Sequence, residues 1–476
     1  MLNIHQKKSR LFNVLFIASV LSACQSHLPQ RPNANITYQI PQHFQNHNTT
    51  NTAQPTALCQ ATLEHYCQAK WWTQFDDSRL NAYVENVLAR NSELATATIT
   101  LQKALQNLEK EKDSRFPHPS LTGGANRGGT YQLKTGESSQ NSQFNLNLGA
   151  NWELDLWGKL KLQRDMASWE KDATIADRQA VYMNLTATAV RNYLALSHIN
   201  QRLAYNKETE NYHAQQRKFM QVRLKAGLSA PADMLSIEQS INQHQQQRLN
   251  LLQQKNEALN NLAILLNRSV SELPTELVDS QFNAKNLPAI PVALPADVIA
   301  NRPDMQAASS RLQSALAQPE LSKKSLYPNI VLTAGAGASS NQLIDLLKVP
   351  VLNWGLALNL PSINKKDIDR TLQTAELNRE QAVLNYYDAL YKALADVEVK
   401  LSHYQTSQKA EQLLRQSQTQ AKKQLDYMNI RYKAGMVAYK DVVDAQESYR
   451  QSEISFWENQ YNQYYAWIVI KQALGG

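Results

Sequence analysis

Three cysteines, a pair of spaced histidines and a few carboxylates are the residues of this 476-residue chain whose types and spacing could do chemistry. Cys24 is the first. It ends the run Leu21-Ser22-Ala23-Cys24, which closes a short leader with Lys7, Lys8 and Arg10 as its basic part and an apolar stretch after them. Small residues directly before a lone cysteine have the form of a bacterial lipobox. The chemistry is a thioether lipid on the Cys24 thiol, then cleavage that leaves Cys24 first. An ordinary secretory leader cut nearby is the plainer alternative. Cys59 and Cys67 follow. Export places them in an oxidising compartment, where they form a disulfide or else remain two free thiols. His43 and His47 stand i, i+4, a metal spacing only on a helix, and Pro41 argues against one there. The low helix propensity there argues likewise, and no His or Cys cluster accompanies Cys59 and Cys67, so no metal is expected. Gly335 and Gly337 make a lone GxG, better read as small residues of a strand than as a nucleotide loop. No nucleophile elbow, HExxH or phosphate loop occurs. The chain reads as a non-enzyme whose only added group is the lipid on Cys24.

The elements that must position anything else begin with residues 143–158, QFNLNLGANWELDLWG. Phe144, Leu146, Leu148, Ala150, Trp152, Leu154 and Leu156 alternate with polar or small residues. That period of two marks a strand with one apolar and one polar face. It is long enough to cross a bilayer at a tilt, which takes roughly 9–11 residues. From Lys159 to Ala226 there is then no Gly and no Pro. A helix of that length is about 100 Å long. Mean hydropathy is −0.50 and hydrophobic residues make up 43%, which excludes a bundle of membrane helices. Formal charge is +8, or +5 once Lys7, Lys8 and Arg10 leave with the leader. Spread over this length, that points to no nucleic-acid partner.

The plan then repeats. VLARNSEL (87–94) returns as VIANRPDM (298–305), and FPHPSLTGGA (116–125) as YPNIVLTAGA (327–336). VRLKAGLSAPADML (222–235) returns as IRYKAGMVAYKDVV (430–443). Leu352, Trp354, Leu356, Leu358 and Leu360 alternate as a second amphipathic strand, and Ser362–Ala434 again lacks Gly and Pro. Such a duplication divides the chain into a leader 1–23, a lipid-anchored arm 24–70, a first repeat 71–285 with a hairpin 119–156, and a second repeat 286–476 with a hairpin 328–361. Within the first repeat the spacing predicts a helix running from Trp71 towards Pro117, a polar loop over 134–142, and a second helix over 232–273. Each half supplies two strands. Four strands cannot close, and an open edge is not tolerated in lipid. The strands therefore need other copies to span: two chains give eight strands and three give twelve, against the roughly eight or more of known single-chain barrels. The Gln- and Asn-rich helices, with narrow apolar stripes, suit a coiled-coil wall around water. A solvent-exposed stalk would explain the helices but not the hairpins.

At these residues the chain resembles TolC-type outer membrane efflux proteins, in particular the lipoprotein branch that serves resistance–nodulation–division pumps. The matching stretches are LSAC (21–24), WWTQFDDSRLNAYVENVLARN (71–91), NWELDLWGKLKL (151–162), VIANRPDM (298–305) and the two Ala-Gly turns. The resemblance implies a mainly α fold with membrane β: an internally duplicated protomer of a homotrimer, with a twelve-stranded barrel in the outer membrane continued by a twelve-helix periplasmic tunnel. Gln25 after the lipid cysteine is compatible with sorting to the outer membrane in that branch. The implied function is a passive exit duct for drugs or small molecules, working with a periplasmic adaptor and an inner-membrane pump. Protein secretion, or a lipid-anchored adhesive stalk, are the alternatives.

The resemblance also implies site residues. Asp441 and Asp444 fall where such tunnels narrow, Asp233 is their counterpart in the first half, and Tyr432 matches a tyrosine that holds neighbouring helices in the closed state. In a three-fold tube Asp441 and Asp444 form rings of six carboxylates that attract cations. Acids at a helix start also have a plainer use, since they suit its dipole. The turns Ala226-Gly227-Leu228 and Ala434-Gly435-Met436 are the expected docking tips for the adaptor. The chain departs from the family pattern in several places, among them a compact loop after Ala338. Val437 stands where an arginine makes a salt link, Asn267 where a glycine is common, and Pro361-Ser362-Ile363-Asn364-Lys365 where a glycine-rich turn is usual.

Overall fold

The structure is a computed structural model, and it describes residues 70–475 apart from 132, 134–135, 137, 282–286, 288–289, 291–299, 346–347, 349 and 362–363. Cys24, Cys59, Cys67, His43 and His47 lie outside the described residues.

The chain enters through a 3-10 turn, Trp71–Phe75, and then α1 (Ser78–Arg90) and α2 (Ser92–Asp113). The sequence predicts one run here, but the structure breaks it at Asn91, whose ψ of 129° leaves the helical region. Asn91 is used twice: its Oδ1 accepts from Glu93 N–H at 2.9 Å, capping α2, and its Nδ2 donates to the Leu265 carbonyl at 3.1 Å. Strands β1 (His118–Tyr131) and β2 (Ser138–Leu154) form the first hairpin. β2 starts inside the stretch that polarity alone assigned to a loop, because Ser138 to Gln143 pair across to Asn126–Tyr131.

The joint between β2 and the long helix α3 (Lys159–Lys225) explains the WELDLWGK run. Asp155 turns back as a cap, accepting from Leu160 N–H and Lys161 N–H at 2.9 and 2.8 Å. Gly158 takes φ 68°, which a side chain would resist. Trp157 donates its indole N–H to the Pro328 carbonyl at 2.9 Å and stacks on Tyr327, tying the first joint to the second repeat.

α3 runs 67 residues, and α4 (Pro231–Leu265) returns antiparallel beside it. The expected run to Leu273 stops eight residues early. Asn267 adopts φ 52°, a left-handed stop that asparagine tolerates better than most residues, and its Nδ2 donates to the Arg90 carbonyl at 2.7 Å. The second half follows with α5 (Pro303–Lys324), β3 (Asn329–Ser340), β4 (Pro350–Asn359), α6 (Lys365–Lys433) and α7 (Tyr439–Ala473). α2 and α5 each have 22 residues and start 211 positions apart, at 92 and 303. α4 and α7 each have 35 and start 208 apart, at 231 and 439. The duplication is thus carried by whole elements.

The largest core joins the first repeat to α7: Trp72, Leu80, Tyr193, Leu196, Leu262, Trp467 and Ile468 are all buried in it. A smaller one near the turns gathers Met220, Ile237, Leu425, Tyr439 and Val442. No described helix is long and apolar enough to cross a membrane.

Candidate functional site

Two regions could carry function: the sheet and the turns at the far ends of the long helices. The sheet is antiparallel throughout, in the order β1-β2-β3-β4. Its register puts Leu148 opposite Leu121 on one side and Ala336 on the other, and Ala336 opposite Leu352. The same rows align Trp152 with Leu332 and Leu356, and Leu154 with Ile330 and Leu358. Directly paired residues share a face, so the apolar sets of all four strands fall on one side. Trp354, Leu356 and Leu358 there are well exposed. The other side carries Asn145, Asn147, Asn151, Thr333, Gly335, Gly337 and Asn353. Gly335 and Gly337 are seats for Asn353 and Asn147, whose amide oxygens lie 2.6 and 2.3 Å from where a Cβ would stand. Close approach of those side chains accounts for the GxG spacing.

The turns are near-identical. Gly227 and Gly435 both have φ 73°. Leu228 N–H reaches back to the Arg223 carbonyl at 2.8 Å, and Met436 N–H to the Arg431 carbonyl at 2.9 Å, so spare helix-end carbonyls are satisfied. Leu228 and Met436 project as exposed apolar side chains, and Ala226 and Ala434 are exposed beside them.

Asp233 and Asp441 occupy matching places. Asp233 Oδ2 accepts from Ala230 N–H at 3.2 Å, and Asp441 Oδ2 from Ala438 N–H at 3.0 Å, each at the third position of its helix. Asp444 lies one turn on, exposed, and accepts from Lys440 Nζ. Lys440 is raised above the usual lysine range, chiefly by that bond and the Asp444 charge. The structure therefore brings Asp441 and Asp444 to one helix start and gives each a local partner.

Tyr432 packs between the repeats. Its ring meets Tyr439 edge-on at 5.1 Å, and the Arg223 guanidinium of α3 lies 5.4 Å from its centroid. Arg223 also donates to the Leu228 carbonyl at 2.9 Å, and Tyr439 O–H donates to Gln216. Burial pushes the Tyr432 hydroxyl up, Arg223 opposes that, and Asp233 adds to it. Arg223 had no signal in the sequence: it comes from a different repeat than the vacant arginine position at Val437. Phe219, Arg223, Tyr432, Lys433 and Tyr439 line a cavity of about 380 Å³ beside the second turn, between α3 and the α6/α7 pair.

A sheet with one continuous apolar face, set on very long polar helices, defines a class of protein that meets lipid through strands and water through helices. The chain belongs to the outer membrane efflux protein family, whose model matches residues 83–268 and 294–476. It is similar to the toxin and drug export protein A of Aggregatibacter actinomycetemcomitans, 26% identical over 418 residues covering 87% of this chain and 90% of that one. It is also 26% identical to the cation efflux system protein CusC of Escherichia coli O6:H1 over 424 residues, 87% of this chain and 89% of that one. Its fold is that of the outer-membrane channel OprN, with a TM-score of 0.78 at 22% identity over 92% of this chain and 98% of that one.

Proposed function

We propose that this protein is the passive exit duct of a tripartite efflux pump for drugs or other small molecules. Three copies form a twelve-stranded barrel in the outer membrane, continued by a twelve-helix tunnel in the periplasm. One observation carries this reading: the register gathers the apolar residues of all four strands on one face, while among the described residues β1 and β4 each keep an unpaired edge. Hydrocarbon does not accept such edges, so neighbouring copies must close them. Cys24 carries the lipid anchor in the outer membrane. Asp441, Asp444, Asp233 and Tyr432 form the periplasmic gate, and the turns at Ala226-Gly227-Leu228 and Ala434-Gly435-Met436 dock the adaptor of the inner-membrane pump. The name of the Aggregatibacter relative includes toxin export, which supports protein secretion as a second reading. A stalk leaves the apolar sheet face without a use.

Planar-bilayer recording of the purified protein tests the duct: discrete conductance steps are expected, and a folded protein that never conducts would overturn it. Drug susceptibility of a deletion strain separates the two cargos. Increased sensitivity is expected for efflux, and unchanged sensitivity with a lost secreted protein favours secretion.

A further inference from the structure

A buried polar cluster lies between the large core and the core at the turns. His213 of α3 and His244 of α4 are 4% and 1% exposed, and their rings stack with centroids 4.8 Å apart. α7 faces them. Glu447 Oε2 stands 3.4 Å from His244 Nε2. Arg450, only 2% exposed, donates through Nε to Glu447 Oε2 at 2.9 Å and through Nη2 to Oε1. Neither ring nitrogen of His244 has a hydrogen-bond partner among the described residues, and Asn206 Oδ1 beside it has none. Asn206 Nδ2 donates to the His244 carbonyl at 3.3 Å. The other groups near the cluster are Glu210 of α3, one turn before His213, whose buried Oε1 has no hydrogen-bond partner among the described residues, Tyr212, edge-on to His213 at 5.6 Å, and Glu453 of α7, which accepts from Tyr205 of α3 and from Tyr449 at 2.8 Å. From α6, Lys422 and Asp426 reach Tyr449 on the other side of α7.

With both imidazoles neutral, Glu447 and Arg450 cancel and the cluster has no net charge. A proton on His213 puts an imidazolium ring against the stacked His244 ring, with Arg450 close by and the one carboxylate, Glu447, already held by Arg450. Like charges in a medium poorer than water repel strongly. The relief available is for α7 to move off the α3/α4 hairpin and admit water. Along the helices, the cluster sits roughly 12–20 Å from the turns at 1.5 Å per residue.

We propose that this cluster is an acid-sensitive latch: neutral, it holds α7 to the α3/α4 hairpin; with His213 protonated, it releases α7 and loosens the turn end of the molecule. Release follows from the cluster alone, whereas any effect on conductance rests on the duct reading above. His213 is held down at about 4, first by burial and then by His244 and Arg450, with Glu447 opposing. Glu447 is held at about 2, because His244 and Arg450 outweigh burial. A histidine whose folded value lies below its unfolded value of 6.5 contributes stability above pH 6.5 and loses it as pH falls towards 4.

Hydrogen exchange of full-length protein in detergent, corrected for intrinsic rates, tests the latch at pH 7.5, 6.0 and 5.0. In wild type, protection of residues 440–452 should fall below pH 6.5, approaching tenfold per pH unit for one linked proton. In His213→Gln that fall should flatten. If this variant does not fold, His244→Gln serves the same comparison. Wild type and a folded variant that lose protection in parallel overturn the latch. Bilayer recording over the same pH range separates the two readings. A rise in open probability in wild type alone supports both, whereas a pH-responsive α7 in a protein that never conducts keeps the latch and removes the duct.

Discussion

Asp441 and Asp444 stand three residues apart and carry different burdens. Asp441 holds a backbone N–H of its own helix start, whereas Asp444 is balanced by Lys440. Asp441→Asn keeps an acceptor oxygen in place, so the return bond to the Ala438 N–H survives, while Asp441→Ala should cost about 0.3–1.5 kcal/mol, the scale of a single helix-end interaction. The pair Asp441→Asn and Asp444→Asn should leave the melting curve where it is and, on the proposed gate, lower cation selectivity, because that gate would lose six carboxylates from a three-fold constriction. Salt-gradient reversal potentials beside thermal unfolding check this. A folded, trimeric double variant with the wild-type reversal potential returns both residues to the role of ordinary helix-start acids.

At the scale of elements, the sheet makes a sharper claim, because its two faces should respond oppositely to the same charge. Leu356 lies in the apolar row with Leu332 and Trp152, and Asn151 lies in the polar row with Thr333. Leu356→Arg should destabilise the barrel by about 2–4 kcal/mol if that row sits near the bilayer midplane. Asn151→Arg should be accepted and change the conductance instead. Urea unfolding in lipid vesicles measures both. Equal losses for the two variants would mean that the faces do not separate lipid from water.

For the whole molecule, the open edges of β1 and β4 make assembly a condition of membrane insertion. Sedimentation in detergent should give three chains, and a stable monomer with its full β signal would contradict the edge argument. Cys24→Ser should abolish lipidation yet leave trimers that insert, since twelve strands bury far more apolar surface than one lipid group. Palmitate labelling that persists in the variant would show that Cys24 is not the acceptor.

Local order was legible without coordinates because its causes are local. Period-two alternation gave strands β2 and β4, the Gly- and Pro-free runs gave α3 and α6, and the recurring motifs fixed the duplication. Where the sequence reading missed, a contact from elsewhere decided. Asn91 breaks a helix because it can also reach the Leu265 carbonyl, and Ser138 begins a strand because Tyr131 stands opposite. The candidate gate divides in the same way. Asp441, Asp444 and the glycine turns follow from spacing and resemblance. Arg223 against Tyr432 joins residues 209 positions apart, and His213, His244, Glu447 and Arg450 meet from three helices. A sequence carries the periodicity and turn chemistry of each element. Which buried charges face each other depends on how the two repeats pack together, and only the tertiary structure sets that.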